Sequence, residues 1–277
     1  MYRRIIAGHD GSEQGRDALA LAEALRAPDG VVIAAHVVPC ADNSEPALSE
    51  ARDGQRPDWL EVRAVPGGPP ARGLHDLSEQ LASDLVVVGS SHHAVSGRVR
   101  AGRTAERLLH GSPCPVAVAP AGFATEGGPP RVIGVAYDGS DESKSALNEG
   151  ARLAARFEAA MKVITVVPPV TAAETVREQR REAFRRTLQE AAGTLPVVAR
   201  AAPILVTGRP AEVIADEAEK GIHVLVMGSR SYGPLHRVFA GSTAIELMRR
   251  APCPVIVIPR GAAVPRRGAA ASAAAAV

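Results

Sequence analysis

Aromatic side chains are scarce in this chain: one tryptophan, three tyrosines and four phenylalanines among 277 residues. Any core must therefore be built from valine, isoleucine, leucine and alanine, and a hydrophobic share of 46% supplies enough of them. The scarcity also argues against a nucleic-acid reader, which sets aromatic faces among basic residues. Charge of one sign is lacking as well. Lys and Arg total 32 against 30 Asp and Glu, so no strong attraction to nucleic acid or a membrane surface follows. Three cysteines, Cys40, Cys114 and Cys253, are too few and too scattered for a disulfide framework, and they suit a reducing cytosol. No apolar run approaches the ~20 residues of a membrane helix. The opening "MYRRIIAGHDGS" has no long apolar stretch after its arginines, which argues against a signal peptide. The expected location is the cytoplasm.

Familiar phosphate-binding signatures are missing too. The nearest approach to G-x-x-x-x-G-K-[ST] ends in "SKS" at 143–145, with Asp138 and Ser143 where glycines belong. No G-x-G-x-x-G follows a first strand. An ordinary P-loop NTPase and a dinucleotide dehydrogenase are both disfavoured.

What is present occurs twice. "IIAGHDGSEQGRDAL" (5–19) matches "IGVAYDGSDESKSAL" (133–147), "LVVVGSS" (85–91) matches "VLVMGSR" (224–230), and "SPCPVAVAP" (112–120) matches "APCPVIVIP" (251–259). Asp10 and Asp138 are 128 positions apart, whereas Gly89 and Gly228, Gly102 and Gly241, and Cys114 and Cys253 are each 139 apart. The extra residues of the second copy fall around "TAAETVREQRREAFRRTLQEA" (171–191), which has the composition of a charged helix. The first copy has a Pro/Asp/Ser-rich loop or short helix there. The expected domains are 1–122 and 130–260, joined by a linker and followed by a disordered Ala-rich tail, 261–277. Within each copy, short unalternating apolar runs alternate with helical spacing. Five strands and their helices predict a doubly wound α/β domain with a parallel sheet. Ligands of such sheets bind beyond the carboxyl ends of the strands.

At that rim, Gly228 ends a strand and Gly241-Ser242-Thr243 opens a helix, with Arg230, Ser231, His236 and Arg237 between. Gly89, Ser90, Gly102, Arg103 and Thr104 repeat the frame. Backbone amides at a helix start, hydroxyls and cations suit a polyphosphate. Asp10 and Asp138, at the first strand's exit, suit ribose hydroxyls or an adenine amine. Each glycine alone is as readily a turn or a cap; the joint pattern favours a ligand. Gly241→Ala or Gly228→Ala is expected to weaken binding and leave the fold mostly intact. His92-His93 reads as a loop pair, so no metal site is expected. No catalytic constellation is legible. Cys114 and Cys253, between prolines, read as packing.

With these residues the chain resembles the tandem form of the universal stress protein family. The family's nucleotide-binding members carry G-x-x-G, nine residues, then G-[ST]. Gly228, Gly241 and Ser242 match, with Ser231 at the second glycine. Gly89 and Gly102 match in the first copy, with His92 and Arg103 at the other two places. The D-G-S after the first strand and the Pro-Cys-Pro-Val run match in both copies. The resemblance implies a Rossmann-like sheet of order 3-2-1-4-5. It implies ATP, free or with magnesium, held by the glycine loop, by Asp10 or Asp138, and by backbone at Val38 or Val167. It also implies that the last strands meet as an intrachain pseudo-dimer; a protein partner or a homodimer is compatible with it. The second copy is expected to bind better. The function so implied is an ATP-binding regulatory module of the stress response, with a nucleotide-independent scaffold or a weak ATPase as alternatives.

Overall fold

The computed structural model describes residues 2–38, 57–169, 174–193, 201–229 and 242–259. The first repeat runs β1 (Tyr2–Gly8), α1 (Glu13–Leu25), β2 (Arg26–Val38), β3 (Leu60–Pro66), α2 (Pro70–Gln80), β4 (Leu85–Gly89), α3 (Arg103–Leu108) and β5 (Val116–Ala119). A helical turn, α4 (Phe123–Glu126), lies in the linker. The second repeat runs β6 (Val132–Ala136), α5 (Asp141–Phe157), β7 (Ala160–Val167), α6 (Glu174–Gly193), β8 (Ala201–Thr207), α7 (Pro210–Glu219), β9 (Val224–Gly228), α8 (Ser242–Leu247) and β10 (Val255–Ile258). The charged helix expected at 171–191 is α6. The loop or short helix expected near residue 50 lies outside the described residues.

The strands form one sheet of order β3-β2-β1-β4-β5-β10-β9-β6-β7-β8. Each half is parallel, and the halves join where β5 and β10 pair antiparallel, Ala117 opposite Ile256. Strands buried on both faces explain the unalternating apolar runs: Leu85, Val86 and Val87 are all fully buried. The cores on the two faces each draw on both halves. Ile6 and Val116 share one with Met227 and Val255; Leu21 and Ala117 share the other with Ile133 and Ile256.

Local chemistry sets the helix starts. In α1, Ser12 is the N-cap and accepts a hydrogen bond from Gly15 N at 3.1 Å. Ser140 caps α5 in the same way, accepting from Ser143 N at 3.2 Å. Asp17, buried in α1, accepts from Gly122 N at 2.9 Å and Ala124 N at 2.8 Å. It thereby caps the linker turn α4 from more than a hundred residues away. Trp59, an isolated residue in the sequence, carries the Arg26 guanidinium 4.8 Å from its ring centroid. Cys114 and Cys253 are both buried, and burial pushes the Cys253 thiol up to about 12. No helix among the described residues is long and apolar enough to cross a membrane.

Candidate functional site

The order β2-β1-β4 places a switch point between β1 and β4, where the connections leave toward opposite faces. Beyond the carboxyl ends of those strands lies a cavity of about 330 Å³. Its wall gathers Asp10 from the exit of β1, Gly89 and Ser90 from the exit of β4, and Gly102, Arg103 and Thr104 from the start of α3. These six residues, expected at one site from spacing, share one cavity. His9, at the same strand end, lines the wall as its position suggests, whereas sequence reasoning did not foresee the apolar lining of Ala35, Val37 and Leu74.

Asp10 is held by its own turn. Gly11 takes φ +81°, the left-handed region that glycine enters freely. This lets the Ser12 amide donate to Asp10 Oδ1 at 3.1 Å and the Ser12 hydroxyl donate to the same oxygen. Burial pushes the Asp10 carboxyl up, but the two Ser12 bonds outweigh it and hold the group below its ordinary value. Ser90 is occupied by the fold: its hydroxyl donates to Ala119 O at 2.7 Å and accepts from Arg100 N at 3.1 Å. Arg103 is exposed and has no hydrogen-bond or ion-pair partner among the described residues. His9 is 6% exposed; its Nδ1 is buried without a hydrogen-bond partner among the described residues, while its carbonyl accepts from His36 Nδ1 at 3.0 Å.

The glycines divide by cause. A Cβ on Gly89 would lie 2.1 Å from the Gln14 carbonyl oxygen, and one on Gly228 would lie 2.7 Å from Glu142 Cβ. Both glycines thus let a helix start press on a strand end. The expectation that Gly228→Ala leaves the fold intact is corrected on this ground. Gly102 differs: a Cβ there would stand 3.6 Å from Ser91 Cβ, an ordinary contact.

The backbone positions Val38 and Val167 are engaged in turns. Val38 O accepts from Gly67 N at 2.8 Å, and Val167 O from Gly208 N at 3.2 Å. Val38 is buried; its neighbour Val37 is the one in the cavity wall.

In the second half, Asp138 repeats the turn, accepting from Ser140 N at 3.0 Å and Ser140 Oγ at 2.6 Å. Arg230, Ser231 and Gly241 lie outside the described residues, and Ser242 is the first residue of α8. Among the described residues, the space beside Asp138 and Thr243 is only about 10 Å³. The reason is substitution at equivalent places. Tyr137 N donates to Ile164 O where His9 N donates to Ala35 O. Tyr137 and Ile164 thus stand for His9 and Ala35, and both line the narrowed space together with Ile214. Ligand pockets run from about 300 Å³ upward, and a space near 10 Å³ admits about one water. Adenine nucleotide fits the residues of the first crevice; in the second, the loop expected to hold the phosphates, with Arg230, Ser231 and Gly241, lies outside the described residues.

One group among the described residues has metal-ligand spacing, His75, Asp76 and Glu79 on α2. His75 Nε2 is already paired with Gly111 O at 2.9 Å, and both acids are exposed.

Comparison with known proteins agrees with the tandem architecture. The model of the Universal stress protein family matches residues 1–120 and again 130–259. A universal stress protein of Mycobacterium bovis is 31% identical over 240 residues, covering 77% of this chain and 79% of that one. Among solved structures, a universal stress protein from Archaeoglobus fulgidus aligns with TM-score 0.64 at 20% identity, covering 93% of this chain and 96% of its own. A putative universal stress protein from Pseudomonas aeruginosa aligns with TM-score 0.67 at 17% identity, covering 94% of each chain. At these identities the two structures speak for the fold alone.

Proposed function

This chain belongs to the universal stress protein family, and we propose that it is a regulatory module that binds ATP in its first domain. The observation that carries the reading is the 330 Å³ crevice at the β1–β4 switch point, walled by Asp10, Gly102, Arg103 and Thr104. Asp10 has both Ser12 bonds on Oδ1, which leaves Oδ2 to accept from ribose hydroxyls or the adenine amine. The Arg103 guanidinium, without a partner among the described residues, pairs phosphate oxygens, two at a time where geometry allows. The Thr104 hydroxyl and the amides at the start of α3 complete the phosphate contacts. Gly102 keeps the approach free of a Cβ that the protein itself would tolerate. Asp10 is the one carboxylate in this wall, so a magnesium ion would depend mainly on the phosphates. Binding would order the loop ahead of α3 and change the surface offered to a partner.

The second domain is the scaffold of the pair. Tyr137 and Ile164 stand there where the first domain has His9 and Ala35, and both line the small space beside Asp138. The expected stoichiometry is therefore one nucleotide per chain. Titration calorimetry with Mg-ATP, alongside mass spectrometry of gently purified protein, tests this. One site per chain, lost in Arg103→Gln and retained in Asp138→Asn, is the expected result. No retained nucleotide and no heat would remove the reading. Two equal sites would remove the assignment to the first domain.

A further inference from the structure

Where the two domains meet, a cavity of about 520 Å³ lies outside the proposed nucleotide crevice. Its polar wall is His93, Arg98, Arg100 and Glu106 from the first domain and Arg249 from the second. Three guanidiniums thus face one carboxylate. Glu106 is matched by Arg249, 3.1 Å away. Arg98 reaches out of the wall, to Glu219 at 2.7 Å and to the Arg250 carbonyl at 3.2 Å. Arg100 donates to the His93 carbonyl at 3.0 Å and has no carboxylate partner among the described residues.

Backbone fixes these groups in place. Val99 N donates to Ala251 O at 2.8 Å, and Ala101 N to Met248 O at 2.6 Å. The loop bearing Arg98 and Arg100 is therefore strapped to the chain end of α8 that carries Arg249. The donors are preorganised across the junction, which lowers the cost of ordering them around a ligand.

Duplication accounts for one of the three arginines. Counting 139 positions along the repeat, Arg98 corresponds to Arg237, whereas His93, Arg100 and Glu106 correspond to Tyr232, Phe239 and Ile245, and Arg249 corresponds to His110. Arg100 and Arg249 are therefore particular to this side of the junction.

We propose that this junction pocket binds a small, multiply charged oxyanion of the pyrophosphate class, held by Arg100 and Arg249. Guanidiniums from two domains suit an anion with oxygens on more than one centre, each able to take a forked pair of bonds. The volume exceeds that of a single phosphate. The rest of the wall is short aliphatic, Val95, Val99 and Ala101. An anion here would tie the loop that leads into Gly102 to the second domain. The site is independent of whether the crevice takes ATP.

Inorganic pyrophosphate is the probe, titrated calorimetrically into the full chain and into Arg100→Gln, Arg249→Gln and Arg103→Gln. The expected result is binding by the parent and by Arg103→Gln, weakened about tenfold or more in each of the other two. Among the described residues the Arg100 guanidinium has only a carbonyl partner, so Arg100→Gln should melt like the parent and separates loss of binding from loss of fold. No binding by the parent overturns the proposal. So does binding that survives Arg100→Gln, and so does binding that disappears in Arg103→Gln, which would place the probe in the nucleotide crevice.

Discussion

At Asp10 and Asp138 the same three-residue device is built twice: a carboxylate, a left-handed glycine, and a serine that bonds backward to the carboxylate and forward to a helix amide. Ser12→Ala removes both roles in the first copy. Loss of the cap should cost about 1 kcal/mol. Loss of the donor should let the Asp10 carboxyl rise toward its ordinary value, followed by a carbon-detected NMR titration. The sign of the pH effect follows. A carboxyl held low in the folded state contributes stability above its unfolded value, ~3.9, and loses it as pH falls through the lowered folded value. The variant keeps the amide bond to Asp10 but loses the hydroxyl's share of that contribution, so its stability deficit should narrow on acidification. The glycines offer a second contrast. Gly89→Ala drives a Cβ into the Gln14 carbonyl, 2.1 Å away, and should destabilise by roughly 1–3 kcal/mol. Gly102→Ala meets only Ser91 at 3.6 Å. It should leave urea denaturation within about 0.5 kcal/mol of the parent and weaken nucleotide binding.

At the scale of strands and helices, the sequence is informative where one local rule decides. Val-rich runs, the repeated D-G-S and the charged α6 are read directly, because strand burial, a capping turn and helical spacing each act within a few residues. The crevice floor is different. Ala35 and Ile164 are both apolar residues near a strand end, and no local pattern says that one leaves room and the other fills it. The same holds for His9 and Tyr137. Gly89 and Gly228 were legible as special positions, but the cause, a helix start pressed on the strand, comes from packing between separate elements. The Asp17 bonds to the linker are likewise long-range. The floor can be tested by exchange. Ala35→Ile should fill the first crevice as Ile164 fills the second. Packing strain should cost up to roughly 3 kcal/mol, and the rise in melting temperature with Mg-ATP expected of the parent should vanish, as differential scanning calorimetry would show.

Across the whole molecule, the two repeats share more than the β5–β10 seam. Tyr2, from the first strand, is fully buried, and the Arg152 guanidinium of α5 lies 4.9 Å from its ring centroid. Arg152 in turn binds Glu149 through two hydrogen bonds, at 2.5 and 3.0 Å, with Glu149 only 1% exposed. Burial first, and then the Glu149 carboxylate, push the Tyr2 phenol well above its ordinary value, so it stays neutral beside the ion pair. Removing one partner of a buried pair leaves the other uncompensated. Glu149→Ala should therefore cost roughly 3 kcal/mol. Because both cores cross the seam, that loss should not stay in the second domain. Trp59, the sole tryptophan, reports on the first domain by fluorescence, while far-ultraviolet circular dichroism reports on both. In urea the two signals should move together in the parent, and Glu149→Ala should shift both midpoints downward by the same amount. A fluorescence midpoint that stays in place while the dichroism midpoint falls would mean that the domains unfold separately, despite the continuous sheet.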